Sequence, residues 1–295
     1  MNILFLFLVI IILLIIFFFF KKKETFYNTT SHCILDNTEY DLTIINARIE
    51  KHPNDPNVDD KLVFTNKAGL QKAIKCAMIN DGDFKYKDLN KQIIFFPINK
   101  WDVSNIKDFR ILFVESEDFN YNIDNWNLTQ ATTLENMFKG CYKFNHDLNN
   151  LLNITPKKTK YQISNISGMF EECINFNEPI NNWKLIQLTK TSKMFKGCTS
   201  FNQEVNSLFF DNNKINNTES MFEGCTIFNQ DLAFRNVSKI TNMNNMFKGC
   251  ANLGEGINTN LELWNLDELT HFDKIFEGCT SLEKNEFNNN NNIYN

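Results

Sequence analysis

Cysteine and histidine carry the widest chemistry of any residues in this chain, and their spacing decides which part of it is open to them. Six of the eight cysteines end near-copies of one another: "MFKGC" from Met137, then "MFEEC", "MFKGC", "MFEGC", "MFKGC" and "IFEGC". A zinc site needs clustered Cys or His at C-x-x-C-like spacing. Here Cys141, Cys173, Cys198, Cys225, Cys250 and Cys279 stand a whole repeat apart, and the chain has four His. A disulfide ladder needs Cα atoms about 5.5 Å apart, whereas residues on stacked helices lie roughly 8 to 10 Å apart. The remaining reading makes each Cys a small buried hydrophobe packed against the next repeat. Ser116, filling the same slot in the first unit, suits it.

Catalysis finds no better footing. His32, His52, His146 and His271 are scattered, the carboxylates follow no fixed pairing, and no G-x-S-x-G, P-loop or paired-glycine nucleotide loop is present. No catalytic, cofactor-binding or metal-ligating residue is therefore expected. The formal net charge of -5, with acidic and basic residues interspersed, marks no nucleic-acid surface.

The elements that position these residues repeat. Aligning the copies on the Phe of Met-Phe gives Phe113, Phe138, Phe170, Phe195, Phe222, Phe247 and Phe276, at intervals of 25, 32, 25, 27, 25 and 29 residues. The unit is thus 25 residues with insertions, and the extra "PKKTKYQ" from Pro156 reads as a surface loop. Within the unit from Trp101, the step of two to Val103 is strand alternation. Phe109, Leu112, Phe113 and Ser116 follow at i, i+3, i+4 and i+7, one face of a helix. Gly140, Gly197, Gly224, Gly249 and Gly278 directly precede the Cys, where a residue tolerant of positive φ can end a short helix; Glu115 and Glu172 depart from this, so those turns are expected to end differently.

A unit of this size cannot bury its own apolar face, so stacking must supply the core. The fold class expected is α/β, a curved leucine-rich-repeat-like solenoid of about seven short strand–helix coils. Strands pair at about 4.8 Å and helices at roughly 8 to 10 Å, which places the strands on the concave edge.

Around this body the chain divides into five segments. Residues 3–20 are eighteen apolar residues, about 27 Å as a helix, long enough to span a bilayer. Residues 1–23 are read as an uncut transmembrane anchor in preference to a signal peptide, because no basic start and no small-residue cleavage site flank them. Lys21, Lys22 and Lys23 favour a cytosolic body. Asn-x-Ser/Thr acceptors at Asn28, Asn127, Asn153, Asn165, Asn216 and Asn236 would matter only in a secretory lumen, so the side of the membrane stays open. Residues 24–65 read as a linker or stalk. Residues 66–100 hold a capping helix, with Asn66 as N-cap, Leu70, Ile74, Cys76 and Met78 near one face and Asp81-Gly82 as the stop. The repeats fill 101–282, and 283–295, rich in Asn, reads as a disordered tail.

The residues "WDVSNIKDF", "MFKGC" and "FNQDL" form a set by which the chain resembles the BspA-like family of leucine-rich-repeat surface proteins, over about residues 66–282. That resemblance implies a solenoid, surface adhesion or protein binding, and neither enzyme activity nor cofactor. Two departures stand out: a hydrophobic anchor replaces a lipoprotein Cys, and Phe210 and Arg235 occupy the Trp slot. The function expected is a membrane-anchored protein-interaction or adhesion module, taking a protein or glycan ligand and meeting the membrane through residues 3–20. Its interaction surface is placed on the outward neighbours of each Trp slot, Asp102, Asn127, Lys184, Asn236 and Asn265. A self-associating structural scaffold or coat component is the alternative.

Overall fold

The computed structural model of the chain describes residues 47–50, 61–79, 81–87, 93–152, 162–183, 185–210, 214–232, 237–255, 261 and 264–284. Strand β1 (Ala47–Glu50) pairs antiparallel with β2 (Lys61–Phe64), helix α1 (Lys67–Ile79) follows, and β3 (Asp83–Lys87) pairs antiparallel with β4 (Ile93–Pro97). Helix α1 begins where the Asn66 side chain accepts the Gly69 amide at 3.0 Å. It ends on Asp81 and Gly82, both at positive φ, with the Gly82 amide closing on the Ala77 carbonyl at 2.8 Å. Its buried face is Leu70, Ala73, Ile74 and Ala77.

Strands β1 and β2 fall inside the stretch 24–65. Leu62, Val63 and Phe64 of β2 are buried, and the strand docks on the start of the repeats. The Phe64 amide donates to the Asp102 carbonyl at 3.0 Å and the Asp102 amide to the Leu62 carbonyl at 2.9 Å. Cys76 of α1 is disulfide-bonded.

A leucine-rich-repeat-like α/β solenoid of strand–helix coils is not what forms, and that expectation is corrected. Regular structure is sparse. Beyond Lys100 the described residues hold no strand longer than a single bridged residue. Their helices of four or five residues are α2 (Asn149–Leu152), α3 (Ser207–Phe210) and α4 (Thr280–Lys284), none at the position read as helical.

The reason lies in the hand of the backbone. In each repeat two residues four apart take positive φ: Ile111 and Glu115 at 51° and 57°, Asn136 and Gly140 at 53° and 73°, Ser220 and Gly224 at 53° and 78°. Left-handed residues cannot sit inside an α-helix. The chain instead makes three-residue turns, such as Met137 amide to Leu134 carbonyl at 3.1 Å and Cys141 amide to Phe138 carbonyl at 2.9 Å. Turns of three return side chains inward every three or four residues, so Phe109, Leu112 and Phe113 copy a helical face without a helix. Glu115 and Glu172 adopt the same positive φ as the glycines in their column, so those turns do not end differently.

Alternate amides leave the repeat altogether. Thr191, Lys193, Phe195 and Gly197 donate to the carbonyls of Asn217, Glu219, Met221 and Glu223 in the next repeat, at 3.2, 2.8, 2.9 and 2.7 Å. The same set of four, at i, i+2, i+4 and i+6, recurs at each of six junctions from Phe109–Glu115 to Met243–Gly249, all between 2.7 and 3.2 Å. Each repeat is therefore a turn-built rung, hydrogen-bonded to the rungs on either side. Single-residue parallel bridges mark the contact, running Asp108, Thr133, Asn165, Lys190, Asn217, Asn242, His271. The pairing falls well after the expected strand at Trp101–Val103, in the stretch expected to be helical.

Inside the stack the Phe rings form a continuous column. Phe113, Phe138, Phe170, Phe195, Phe222, Phe247 and Phe276 follow one another at centroid distances of 5.1, 5.6, 5.7, 5.6, 5.2 and 5.7 Å, within 15° of parallel. A second column, Phe119, Phe144, Phe176, Phe201 and Phe228, runs beside it at spacings of 5.9 to 6.0 Å. Offset aromatic pairs of this kind add roughly 0.5 to 1.5 kcal/mol each beyond area burial.

The anchor read at residues 3–20 lies outside the described residues. Among the described residues no helix is long and apolar enough to cross a membrane, and the single-pass membrane localisation and its transmembrane helix are withdrawn. Residues 285–295 also lie outside them.

Candidate interaction surface

The aspartate and asparagines that follow the Trp slot fold the chain locally. Asp102, half-buried, accepts the Ser104 amide on its carboxylate at 2.9 Å. Asn127 and Asn265, both exposed, accept the amides of Thr129 and Asp267 at 3.1 and 3.0 Å. Short Asp and Asn side chains turn a chain in this way by binding an amide two residues on. Lys184 and Asn236 lie outside the described residues. No hydrogen bond joins Asp102, Asn127 and Asn265 to one another, since each is engaged with its own turn.

The side chains that the fold does bring together lie along the inter-rung ladder. Asp108, Thr133, Asn165, Lys190, Asn217, Asn242 and His271 form one column, half-exposed or exposed throughout. Asn165 donates to the Glu135 carboxylate at 3.1 Å and Asn242 to Glu219 at 3.3 Å. At the first rung the Arg110 side chain grips Asp108, and this hydrogen bond, aided by the Arg110 backbone amide and the Lys67 charge, outweighs partial burial and brings the carboxyl down to about 2. A parallel column alternates in sign: Lys139 pairs with Glu171 at 3.0 Å, Lys196 with Glu223 at 2.8 Å and Lys248 with Glu277 at 2.8 Å. Burial works to raise Glu223, but the hydrogen bonds from Lys196 and Ser220 and the charges of Lys196 and Lys248 hold it below its ordinary value.

That alternation is legible in the copies themselves, where the residue after Met-Phe or Ile-Phe reads Lys, Glu, Lys, Glu, Lys, Glu. The Asn of "FNQDL" has a comparable role. Asn120, Asn145, Asn177 and Asn202 each accept, on the side-chain oxygen, the backbone amide of the Asn in the next rung, at 2.8 to 3.0 Å.

The six repeat cysteines are free, buried and more than filler. Each thiol donates to the carbonyl of the core Phe one rung earlier: Cys141 to Phe113, Cys173 to Phe138, Cys198 to Phe170, Cys225 to Phe195, Cys250 to Phe222 and Cys279 to Phe247, at 2.9 to 3.1 Å. Burial pushes the Cys141 thiol up to about 12, and lifts Cys173, Cys198, Cys225 and Cys250 well above their ordinary value. A thiol held protonated is a poor nucleophile and a poor metal ligand. Among the described residues no group of three or more His, Cys, Asp or Glu is placed to hold a metal ion.

A family model described as "Mycoplasma protein of unknown function, DUF285" matches residues 84–208, 149–258 and 208–294. The matches overlap, as they must when one model can be laid on a repeating chain in more than one register. No curated protein and no solved structure matches the chain.

Proposed function

We propose that this chain, which belongs to the DUF285 family, is a non-catalytic protein-interaction or adhesion module whose binding face is the polar ladder side of the stack. The observation that supports it most is the column Asp108 to His271 with its flanking Lys–Glu pairs. Its side chains reach solvent while four backbone bonds per junction fix their spacing. A surface already fixed in its bound geometry loses little entropy on association, which favours recognition of a protein or glycan with regularly spaced polar groups. Burial of the six thiols in carbonyl hydrogen bonds agrees with a role without chemistry. The likeness to BspA-like leucine-rich-repeat surface proteins enters here as part of the proposal, in its binding aspect. The absence of a basic aromatic stripe argues against nucleic acid as the partner.

The test uses the full chain with charge reversals on that face, Lys190→Glu with Lys193→Glu, both exposed. A control reversal, Lys75→Glu, lies exposed on helix α1, outside the column. Cross-linking followed by mass spectrometry in the native source identifies the partner of the unaltered chain. The same partner is expected to be lost with the double variant and kept with the control. Equal capture by all three overturns the assignment of the face.

A further inference from the structure

One column of the repeat belongs neither to the ladder nor to the core. Asn99 and Asp124 stand two residues before Trp101 and Trp126, and Asn149 opens α2 at the equivalent place, in steps of 25 residues that match the Phe113–Phe138 interval. Steps of 32 and 25 lead on to Asn181 and Asn206, as they do between the core Phe residues. The Oδ1 atoms of Asn99, Asp124, Asn149 and Asn206 are shut off from solvent and meet no hydrogen-bond donor. Asn181 is exposed, and the column breaks there. A single orphaned oxygen is an accident of packing, but the same orphan at three successive positions of the stack is a property of the repeat. Buried polar atoms ordinarily have partners, and a carboxylate oxygen costs more to strand than an amide oxygen. Among the described residues no basic side chain pairs with Asp124.

The rung spacing selects what can sit against such oxygens. In this part of the stack the rings of Phe113 and Phe138 are 5.1 Å apart and those of Phe119 and Phe144 5.9 Å. Calcium holds oxygen ligands at about 2.3 to 2.6 Å, so two ligands on opposite sides of one ion are roughly 4.6 to 5.2 Å apart, close to one rung. Magnesium, at about 2.0 to 2.1 Å, would draw them to roughly 4.0 to 4.2 Å, nearer than the about 4.8 Å at which hydrogen-bonded backbones pair. A water donating to two neighbouring oxygens spans a similar distance to calcium, but it brings no charge to set against Asp124. Asp124 is the middle member of the three, so an ion beside it meets an amide oxygen from the position before or the position after.

We propose that Asp124 binds a calcium ion between rungs, with the side-chain oxygen of Asn99 or Asn149 as a second ligand. The site has a single carboxylate, which sets it apart from the clusters of His, Cys, Asp or Glu that the described residues lack. Its other donors are amide oxygens, ordinary ligands for calcium, and so low a ligand charge places the affinity at about 0.1 to 1 mM. Terbium, a calcium substitute that emits when a nearby tryptophan is excited, and thermal melts of the full chain test this. Trp101 and Trp126, two residues beyond Asn99 and Asp124, are the expected sensitisers. The unaltered chain is expected to show the emission and to lose it as calcium is added. It should also melt about 3 °C or more higher in about 10 mM calcium than in chelator, with no such rise in magnesium. Asp124→Asn keeps the size of the side chain and removes its charge. It should bind terbium at least about tenfold more weakly and, in chelator, melt no lower than the unaltered chain. Glu117→Gln, which removes an exposed carboxylate from the same rung, should change neither reading. Equal terbium emission from the unaltered chain and Asp124→Asn overturns the proposal, as does a melting temperature of the unaltered chain that ignores calcium; the column then holds water only.

Discussion

Replacing Phe222 by Ala removes a ring that is fully buried and stacked on both sides, 5.6 Å from Phe195 and 5.2 Å from Phe247, with Phe228 at 4.6 Å. Truncation of a buried Phe costs about 3 to 5 kcal/mol in lost transfer energy and residual cavity. Because Phe222 sits between two rungs that cannot close up without breaking the Thr218–Gly224 ladder bonds, the upper half of that range applies. At about 2 to 4 °C per kcal/mol for a chain of this size, the melting temperature should fall by roughly 10 °C. Phe272→Ala is the matched control: its ring is 45% exposed and should cost about 1 kcal/mol or less. Urea titration followed by tryptophan fluorescence reads both. Equal losses for the two variants, or a loss below about 1 kcal/mol for Phe222→Ala, would refute a core built from a continuous Phe column.

Thiol chemistry offers a second check: a maleimide or disulfide reagent at pH 8 should leave Cys141 to Cys279 unlabelled in the folded chain and label all six in denaturant, counted by mass spectrometry. Gly224→Ala should cost about 1 kcal/mol through its left-handed φ of 78° alone, since an added Cβ meets neighbours only at ordinary contact distance. Gly168→Ala should cost more, because its Cβ would collide with the Asn136 side-chain oxygen; thermal melts of the two variants rank them. Acidification should weaken the stack through Glu223. Its folded pKa lies below the ordinary 4.5, so its contribution is complete above that value and fades as pH falls through the folded value; Glu223→Gln should flatten this part of the stability–pH curve.

The repeat register was legible because Met-Phe and Cys recur, and helix α1 because Asn66, its apolar spacing and Asp81-Gly82 agree in type and place. The conformation of the unit was not. Apolar residues at i, i+3, i+4 and i+7 arise equally from a helix and from successive turns of three. The residues that rule out the helix by their positive φ include Lys193, Ser220 and Lys274, whose types give no sign of it. Strand β2 gives no periodic signal, because three buried residues in a row are too few to show a period. At the candidate surface, the Asp and Asn after Trp looked outward-facing, which Asn127 and Asn265 are, but their turn-forming hydrogen bonds depend on backbone geometry. The alternating Lys and Glu were in plain view, yet they become a paired column only once successive rungs are known to touch.

The ladder itself is open to direct observation by through-hydrogen-bond scalar coupling in a deuterated, isotope-labelled sample. Coupling from the Phe195 amide nitrogen to the carbonyl carbon of Met221, one rung onward, is the predicted result. Coupling from the same nitrogen to the carbonyl of Thr191, four residues back in its own repeat, would mean an α-helix at that position and would contradict the turn-built stack.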